Sequence, residues 1–360
     1  MKAAVLREVG ASLQVEQVAI AKPAPREVLI RAAATGVCHS DLHFIEGHYP
    51  TPMPTVLGHE CAGVVEQVGS EVRTVKPGDH VVTCLSAFCG HCEFCVGGHL
   101  SLCNEPDTNR PRDAEPRLGS DDAPMSQFLD LSAFAEQLLV HENACVKIRE
   151  DMPLDRAALL GCAVITAYGS VVRTARVRPG QSVAVIGCGG VGLSTLNAAQ
   201  IAGAGRIIAI DRVAEKEALA RTFGATDFID ASQGDVWKKV LGLTDGGVDH
   251  AFEAIGLAET ASDAFRMLRR RGIATVIGMI PVGQKVTLNG YELLQEKQLR
   301  GSMMGSNQFP VDIPRLVDFY MAGKLKLDEL ISRRIGLGEV NEAFEEMKTG
   351  QIARSVITFD

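Results

Sequence analysis

SVAVIGCGGVGLSTLNAAQIAGAGRIIAID, residues 182–211, is the stretch whose reading decides the fold. SVAVIG (182–187) is a run of apolar β-formers ending in glycine, and VGLSTLNAAQIAG (191–203) has the composition of a helix. A second apolar strand, RIIAID (206–211), follows it. Strand, glycine-rich turn, helix and strand together make one βαβ unit with its strands parallel. The turn reads Gly187-Cys188-Gly189-Gly190-Val191-Gly192. Such a run is weak evidence alone, because glycine-rich turns are common. Its position between strand and helix, with Asp211 nineteen positions after Gly192, is what a dinucleotide-binding turn requires. There Gly187 permits the tight turn, Gly189 lets the backbone approach a pyrophosphate, and Gly192 lets helix and strand pack closely. The helix N-terminus presents free N–H groups and a partial positive charge to the anion. Asp211 is placed to accept from two ribose hydroxyls and repels a 2′-phosphate, which favours NAD(H). Arg212 beside it can accommodate that phosphate, so NADP stays open.

Outward from this unit, strands and helices keep alternating. DFID (227–230), VDHAFEAIG (248–256), IATVIGM (273–279) and QLRGSMM (298–304) read as strands, and EKEALARTFG (215–224) and ETASDAFRMLRR (259–270) as helices. Alternation of this kind predicts an α/β, doubly wound parallel sheet covered on both faces. The first ~160 residues have another texture: short strands broken by Gly and Pro, such as EVLIRAAATGV (27–37), CAGVVEQVG (61–69) and DHVVTC (79–84). NEPDTNRPRDAEPRLGSDDAPMSQ (104–127) is nearly free of apolar residues and reads as an exposed loop or lobe. The tail returns to helix at DIPRLVDFYMAGKL (312–325) and GEVNEAFEEMKTG (338–350).

At 360 residues the chain is too long for one ordinary core, so two domains are expected. Its 36 basic and 44 acidic residues leave a formal net charge of −8, which argues against a nucleic-acid or anionic-membrane partner. The opening MKAAVLREVG has no apolar core followed by a cleavage site, and no long uncharged apolar run occurs, so a cytoplasmic location is expected.

In a reducing compartment clustered cysteines more often hold metal than form disulfides. Cys89-x2-Cys92-x2-Cys95-x7-Cys103 has the spacing of a loop that closes a tetrahedron of thiolates around Zn²⁺ and leaves no position open. Four thiolates remove most of the ion's Lewis acidity, so this is read as a structural site; an iron–sulfur cluster is the alternative such a set allows. Cys38, His59 and Cys162 are far apart in sequence, and each alone is unremarkable in type. Together they supply two thiolates and an imidazole, which neutralise the dication and leave its fourth position free for a substrate oxygen.

GHECAGVVEQVG (58–69) resembles the GHExxGxxxxxG signature of zinc-containing medium-chain alcohol dehydrogenases. GVCHSDLH (36–43), the four-cysteine loop, LLGCAVITAYGS (159–170), IGCGGVGL (186–193), FEAIG (252–256) and GQIARSVITFD (350–360) match family segments in the same order, so the resemblance spans the chain. It is nearest to the classical and glutathione-dependent formaldehyde dehydrogenase branches. The resemblance implies a GroES-like β-rich catalytic domain, 1–163 plus 304–360, interrupted by a Rossmann domain at 164–303. It implies two zinc ions per chain, the catalytic one on Cys38, His59 and Cys162, with Glu60 beneath it and Asp41 orienting His59. Ser40 would take the alcohol proton and His43 would pass it to water. Cofactor contacts are implied for His39, Thr166, Gly187, Gly189, Gly190, Val191, Gly192, Asp211, Arg212, Lys216, Ile255, Ile277, Met279 and Arg354. The substrate pocket would be walled by Tyr49, Leu85, Phe128, Leu129, Met279 and Met303.

An apolar pocket of that kind suits a primary alcohol with an aliphatic, allylic or aromatic tail, oxidised by NAD to its aldehyde. S-(hydroxymethyl)glutathione, with formaldehyde as its source, is the alternative substrate. A non-catalytic protein on the same fold is the alternative class, against which the complete ligand set argues. A homodimer through the edge strand near 298–304 is expected, a homotetramer being the other assembly considered. His48, His80, His91, His99, His141 and His250 have no partner pattern and read as structural or surface residues, as Cys61, Cys84, Cys145 and Cys188 read as small apolar ones.

Overall fold

The protein is described by a computed structural model over residues 1–104, 108–111, 113–120, 123–350 and 352–359. It divides into two compact units, Met1–Cys162 with Asn307–Ala322 and Leu327–Asp360, and Ala163–Ser306 with Gly323–Lys326. The chain thus returns to its first unit at Asn307 rather than 304, and a short piece after residue 322 rejoins the second.

In the second unit, six parallel strands lie in the order Asp227–Asp230, Arg206–Asp211, Ser182–Ile186, Val248–Glu253, Leu268–Val276, Gln298–Gly301. The chain starts at the middle strand, winds outward twice on one side, then crosses to the other. Doubly wound sheets bind ligands where that direction reverses, at the carboxyl ends of the strands. The central strands are apolar throughout because helices cover both faces: every residue of Val183–Ile186 and Ile207–Asp211 is buried. Helix Gly190–Ile201 is buried on almost all sides, so its sequence has no polar stripe.

Two elements differ from expectation. The helix read over 259–270 spans Ala258–Arg266, and Leu268 already belongs to the next strand. Met267 and Leu268 are fully buried, and Leu268 pairs with Val248 before a register shift, so apolar burial outweighs the helical pattern of the arginines around them. The strand read over 298–304 ends at Gly301, because Met304 turns into the left-handed region (φ 49°) within Met303–Ser306.

The first unit is organised around Glu27–Val37. One side of this strand pairs with Cys61–Val68; the other pairs with Gln137–His141 along its first half and Arg354–Thr358 along its second. One strand therefore joins early, middle and last parts of the sequence. Leu6, Leu57, Phe128, Phe134 and Phe344 form a buried cluster in this unit, each side chain contributing roughly 1.5–3 kcal/mol.

The stretch 104–127 is not simply an exposed lobe. Leu118–Ser120 and Ala123–Gln127 are strands, and Leu118 and Met125 are buried. Arg117 Nε (2.7 Å) and Arg110 Nε (2.9 Å) both donate to Oε1 of buried Glu27, and Arg110 Nη2 donates to Oε2 (2.6 Å). Burial opposes ionisation of Glu27, but hydrogen bonds from Arg110, Ala24 N and Arg117 outweigh it and hold the carboxyl at about 2. Charges that look solvated in the sequence are here the anchor. Residues 105–107, 112 and 121–122 of this stretch lie outside the described residues.

Candidate active site and metal centres

The four-cysteine loop closes on itself. Sγ of Cys89 and Cys95 are 3.8 Å apart and those of Cys92 and Cys103 are 3.9 Å apart, and all four sulfurs lie within 4.8 Å of one another. Tetrahedral Zn–S bonds of about 2.3 Å place sulfurs about 3.8 Å from each other, so the cluster fits the ion. A disulfide does not fit, its sulfurs being bonded at about 2.05 Å. Backbone N–H groups of Cys92 (3.3 Å) and His91 (3.4 Å) donate to Cys89 Sγ, which favours its thiolate. The turn that aims them is part of the spacing itself: helix Glu93–Val96 begins directly after Cys92 and carries Cys95.

The second cluster is assembled by the fold. Strand Glu27–Val37 delivers Cys38, the loop before strand Cys61–Val68 delivers His59 and Glu60, and Cys162 follows the buried turn Ala158–Gly161. One ligand atom from each of Cys38, His59, Glu60 and Cys162 lies within 4.8 Å of the others, and all four residues are buried. Asp41 does two jobs. Its Oδ2 accepts from Cys38 N (3.2 Å), holding the first turn of helix His39–Ile45, and its Oδ1 accepts from Gly58 N (3.2 Å) and lies 3.0 Å from His59 Nδ1. A carboxylate only accepts, so Nδ1 carries the proton and Nε2 keeps its lone pair. That Nε2 is buried with no hydrogen-bond partner among the described residues. An orphaned buried acceptor is costly, roughly 1–3 kcal/mol, and a metal ion is the partner this donor set fits.

Glu60 is equally telling. Neither of its buried carboxylate oxygens has a hydrogen-bond partner among the described residues, though Arg354 Nη1 sits 3.4 Å from Oε1. Burial raises its carboxyl to about 7, and Arg354 opposes that rise. Arg354, expected on a pyrophosphate, is itself buried and donates from Nη1 to Val37 O (3.0 Å).

Around this cluster, Ser40 Oγ lies 3.5 Å from Cys38 Sγ. His39 is exposed, its ring 5.1 Å from that of His43. His43 Nδ1 is 3.2 Å from His48 Nδ1, and burial, then His39 and His48, lower the His43 pKa. His48, for which the sequence shows no partner pattern, has one: the turn at Gly47 (φ +76°) folds it back onto the helix, where its N–H donates to His43 O (2.9 Å). The His-x4-His spacing at a helix end was the available signal. Phe128 is buried 6.1 Å from the His59 ring and packs edge-on to Phe44 at 4.8 Å. Phe44, absent from the expected pocket, also faces Tyr49 at 5.7 Å. Leu129 takes a left-handed φ of 50° beside Phe128, and Leu85 packs half-buried on the core that holds Val81 and Ala144.

In the second unit Gly187 takes φ +97°, and a Cβ on Gly192 would sit 1.7 Å from Gly187 O, so the turn closes only with glycine there. Gly189 is different: a Cβ there would meet nothing within 4 Å. No contact among the described residues demands that glycine, which fits a ligand approaching from outside. Helix Gly190–Ile201 starts with Gly190 and Val191. Asp211 Oδ2 accepts from Cys188 N (2.7 Å) and pairs with Lys216 (3.2 Å), and Oδ1 accepts from Val213 N (3.0 Å), tying the turn to the second strand's end; Arg212 is exposed. Ile255, Ile277 and Met279 follow the carboxyl ends of the neighbouring strands, with Ile277 N donating to Glu253 O (2.8 Å). Glu253, not foreseen, shapes that edge: its Oε1 accepts from Ile255 N, Gly256 N and Thr260 Oγ1. Thr166 is buried with Oγ1 3.5 Å from Met304 Sδ, while Met303 is exposed.

Known proteins carry the same parts. The family described as Alcohol dehydrogenase GroES-like domain matches residues 24–150, and the one described as Zinc-binding dehydrogenase matches 190–320. An alcohol dehydrogenase zinc-binding domain protein from Burkholderia ambifaria is 37% identical over 100% of this chain and 98% of its own, with a TM-score of 0.95. Benzyl alcohol dehydrogenase from Acinetobacter calcoaceticus is 33% identical over 100% and 99%, with a TM-score of 0.94. A zinc-binding dehydrogenase from Sinorhizobium meliloti bound to NADP is 30% identical over 99% of both chains, with a TM-score of 0.84. With both ligand clusters built from its own residues and full-length likeness at these identities, the chain belongs to the zinc-containing medium-chain alcohol dehydrogenase family.

Proposed function

We propose that the protein is an NAD(H)-linked alcohol dehydrogenase that interconverts a primary alcohol, with an aliphatic, allylic or aromatic tail, and its aldehyde. The observation that carries this reading is the buried His59 Nε2, left without a hydrogen-bond partner among the described residues in the cluster with Cys38 and Cys162. Cys38, His59 and Cys162 would hold a catalytic zinc, and Cys89, Cys92, Cys95 and Cys103 a structural one. When bound, the catalytic ion supplies a Lewis acid that lowers the pKa of an alcohol hydroxyl toward neutrality, and the nicotinamide supplies a hydride acceptor.

The chain's own residues do the rest. Asp41 locks the His59 ring so that Nε2 faces the thiols. Ser40, beside Cys38, takes the alcohol's proton. His43, whose lowered pKa keeps it neutral near pH 7, passes the proton on, and His48 completes the exit to water. Phe44, Phe128 and Tyr49 give an aromatic wall that excludes water and suits a ring-bearing substrate. The likeness to benzyl alcohol dehydrogenase supports the same choice. Asp211 supports NAD over NADP, since its carboxylate at the end of the second strand suits ribose hydroxyls and repels a 2′-phosphate. Val282, Tyr291, Leu293 and Leu294 are exposed, and Gln298–Gly301 is an unpaired edge, which supports a homodimer.

The test is a steady-state screen of alcohols with each cofactor. Benzyl and allylic alcohols with NAD are expected to give the highest kcat/KM, with NADP at least about tenfold lower. Turnover of formaldehyde only with added glutathione, and none of benzyl alcohol, would overturn the substrate reading; equal or better rates with NADP would overturn the cofactor reading.

A further inference from the structure

The parallel sheet of the second unit has two ends. Its carboxyl end carries Gly187, Asp211 and Ile255. At the opposite end, where Ser182, Val248, Leu268 and Gln298 begin their strands, lies a cleft of about 530 Å³ that the activity proposed above does not use. That volume is in the range of small-molecule sites and too small for a macromolecular partner.

Its lining is strongly cationic. Arg176, Arg178, Arg269, Arg271 and Arg300 face it, against only Asp249 and Glu296. The excess of three positive charges stands out in a chain of formal net charge −8. Both acids are already engaged. Asp249 accepts from Arg269 Nε (2.7 Å) and from Ser182 N and Oγ (2.8 Å each), and Glu296 pairs with Arg271 (3.1 Å). Arg176, Arg178 and Arg300 have no acidic partner among the described residues; Arg300 donates from Nη1 to Thr174 O (3.3 Å) and from Nε and Nη2 to Gln298 Oε1, neutral acceptors that leave its charge uncompensated.

A further observation points to a ligand. His250 lines the cleft with 4% of its surface exposed, and its Nδ1 has no hydrogen-bond partner among the described residues. Its Nε2 lies 3.0 Å from Gln181 Oε1, an oxygen that also accepts from Arg178 N, so Nε2 is the protonated nitrogen and Nδ1 an acceptor in want of a donor. Burial lowers the pKa of this ring, which keeps it neutral. Arg176 takes left-handed backbone (φ 57°) as the C-terminal cap of helix Ser170–Ala175, a position that glycine occupies without strain.

We propose that this cleft binds a small phosphate-bearing metabolite of about three negative charges that also carries a hydroxyl, such as a nucleoside diphosphate or a phosphorylated sugar. The guanidinium forks of Arg176, Arg178 and Arg300 take the phosphate oxygens, and the ligand's hydroxyl donates to His250 Nδ1. Inorganic pyrophosphate, ADP, ribose phosphate and citrate are the probes, titrated calorimetrically into the full-length protein and two variants. Pyrophosphate is expected to bind the wild type, and the double variant R178Q/R300Q to lose about 10- to 100-fold in that affinity while keeping the wild-type melting point and gel-filtration mass, the latter because Arg300 stands on the edge strand proposed for the dimer. R176G relieves the backbone strain, so it is expected to melt no lower than the wild type yet bind pyrophosphate more weakly. ADP stronger than ribose phosphate in the part of the heat lost with R178Q/R300Q assigns the nucleotide, and the reverse order the sugar. Absence of pyrophosphate binding, an unchanged affinity in both variants (the anion then sitting at the glycine-rich turn), or citrate binding as tightly as pyrophosphate would each overturn the proposal.

Discussion

The two ligand clusters of the first unit use the same sulfur atoms to opposite ends. The four-cysteine loop draws all its ligands from fifteen consecutive positions and surrounds its centre with thiolates alone. The cluster of Cys38, His59, Glu60 and Cys162 draws on three remote segments and mixes thiol, imidazole and carboxylate. In the first, backbone N–H groups serve the sulfurs and leave little for an outside ligand to do. In the second, His59 Nε2 and both Glu60 oxygens are buried with no hydrogen bond among the described residues, which is the condition of a site that expects something else. A closed set of like ligands holds a loop together; an open set of unlike ones does chemistry.

The strongest way to break this contrast is Cys38→Ser. It should lower kcat/KM by about 10³-fold or more while NADH binding, followed by fluorescence, stays near wild type. If activity survived, Cys38 would not hold the catalytic metal; if the wild type itself turned over no alcohol while still binding NADH, a binding protein on the same fold would take the enzyme's place. Cys92→Ser should act on stability instead: bound zinc falls from two ions per chain to one by elemental analysis, and the fold loses several kcal/mol, while chains that keep the other ion retain most of their turnover. A variant that lost both ions together would erase the distinction between the sites.

The third test concerns Glu27, a group whose cationic partners, Arg110 and Arg117, come from a distance. Its folded pKa of about 2 lies below the ordinary 4.5, so its stabilising effect is complete above pH 4.5 and is lost as pH falls toward 2. That difference corresponds to about 3 kcal/mol. Urea denaturation should give Glu27→Gln a deficit of this order at pH 7 that shrinks steadily on acidification; a deficit independent of pH would show that Arg110 and Arg117 do not hold the carboxylate. Asp41→Asn should weaken zinc retention or activity by about 10–100-fold through the His59 ring alone, and leave the thiolate loop untouched. His48→Gln should have the smallest effect, a few-fold fall in kcat that added imidazole restores, whereas a merely structural His48 would not respond to the buffer.

Much of the molecule was legible in its sequence because the signals are local. Strands Glu27–Val37, Arg206–Asp211 and Asp227–Asp230 fall at the expected bounds; in the central one, continuous burial from Ile207 onward writes itself as a run of apolar residues. The thiolate loop and the glycine turn were readable for the same reason. Residues 104–127 were misread because their burial rests on ion pairs: Arg110 and Arg117 look solvated until Glu27, some eighty to ninety positions away, is laid against them. His48 was missed because its partner is reached by a turn rather than by a helical repeat. Leu268 was assigned to the wrong element because Arg269, Arg270 and Arg271 extend a helical pattern past the point where pairing with Val248 takes over.

By itself, then, the sequence determined what short-range physics can encode: the alternation of the parallel sheet, the turn that only glycine can close, and the spacing of four sulfurs. Tertiary structure alone decided which distant atoms meet. It brought Cys38 to His59 and Cys162, turned His59 by Asp41 so that its lone pair faces inward, and gathered five arginines at the far end of the sheet. Ligand geometry and uncompensated charge depend on distances across the fold, and a linear pattern carries no record of those.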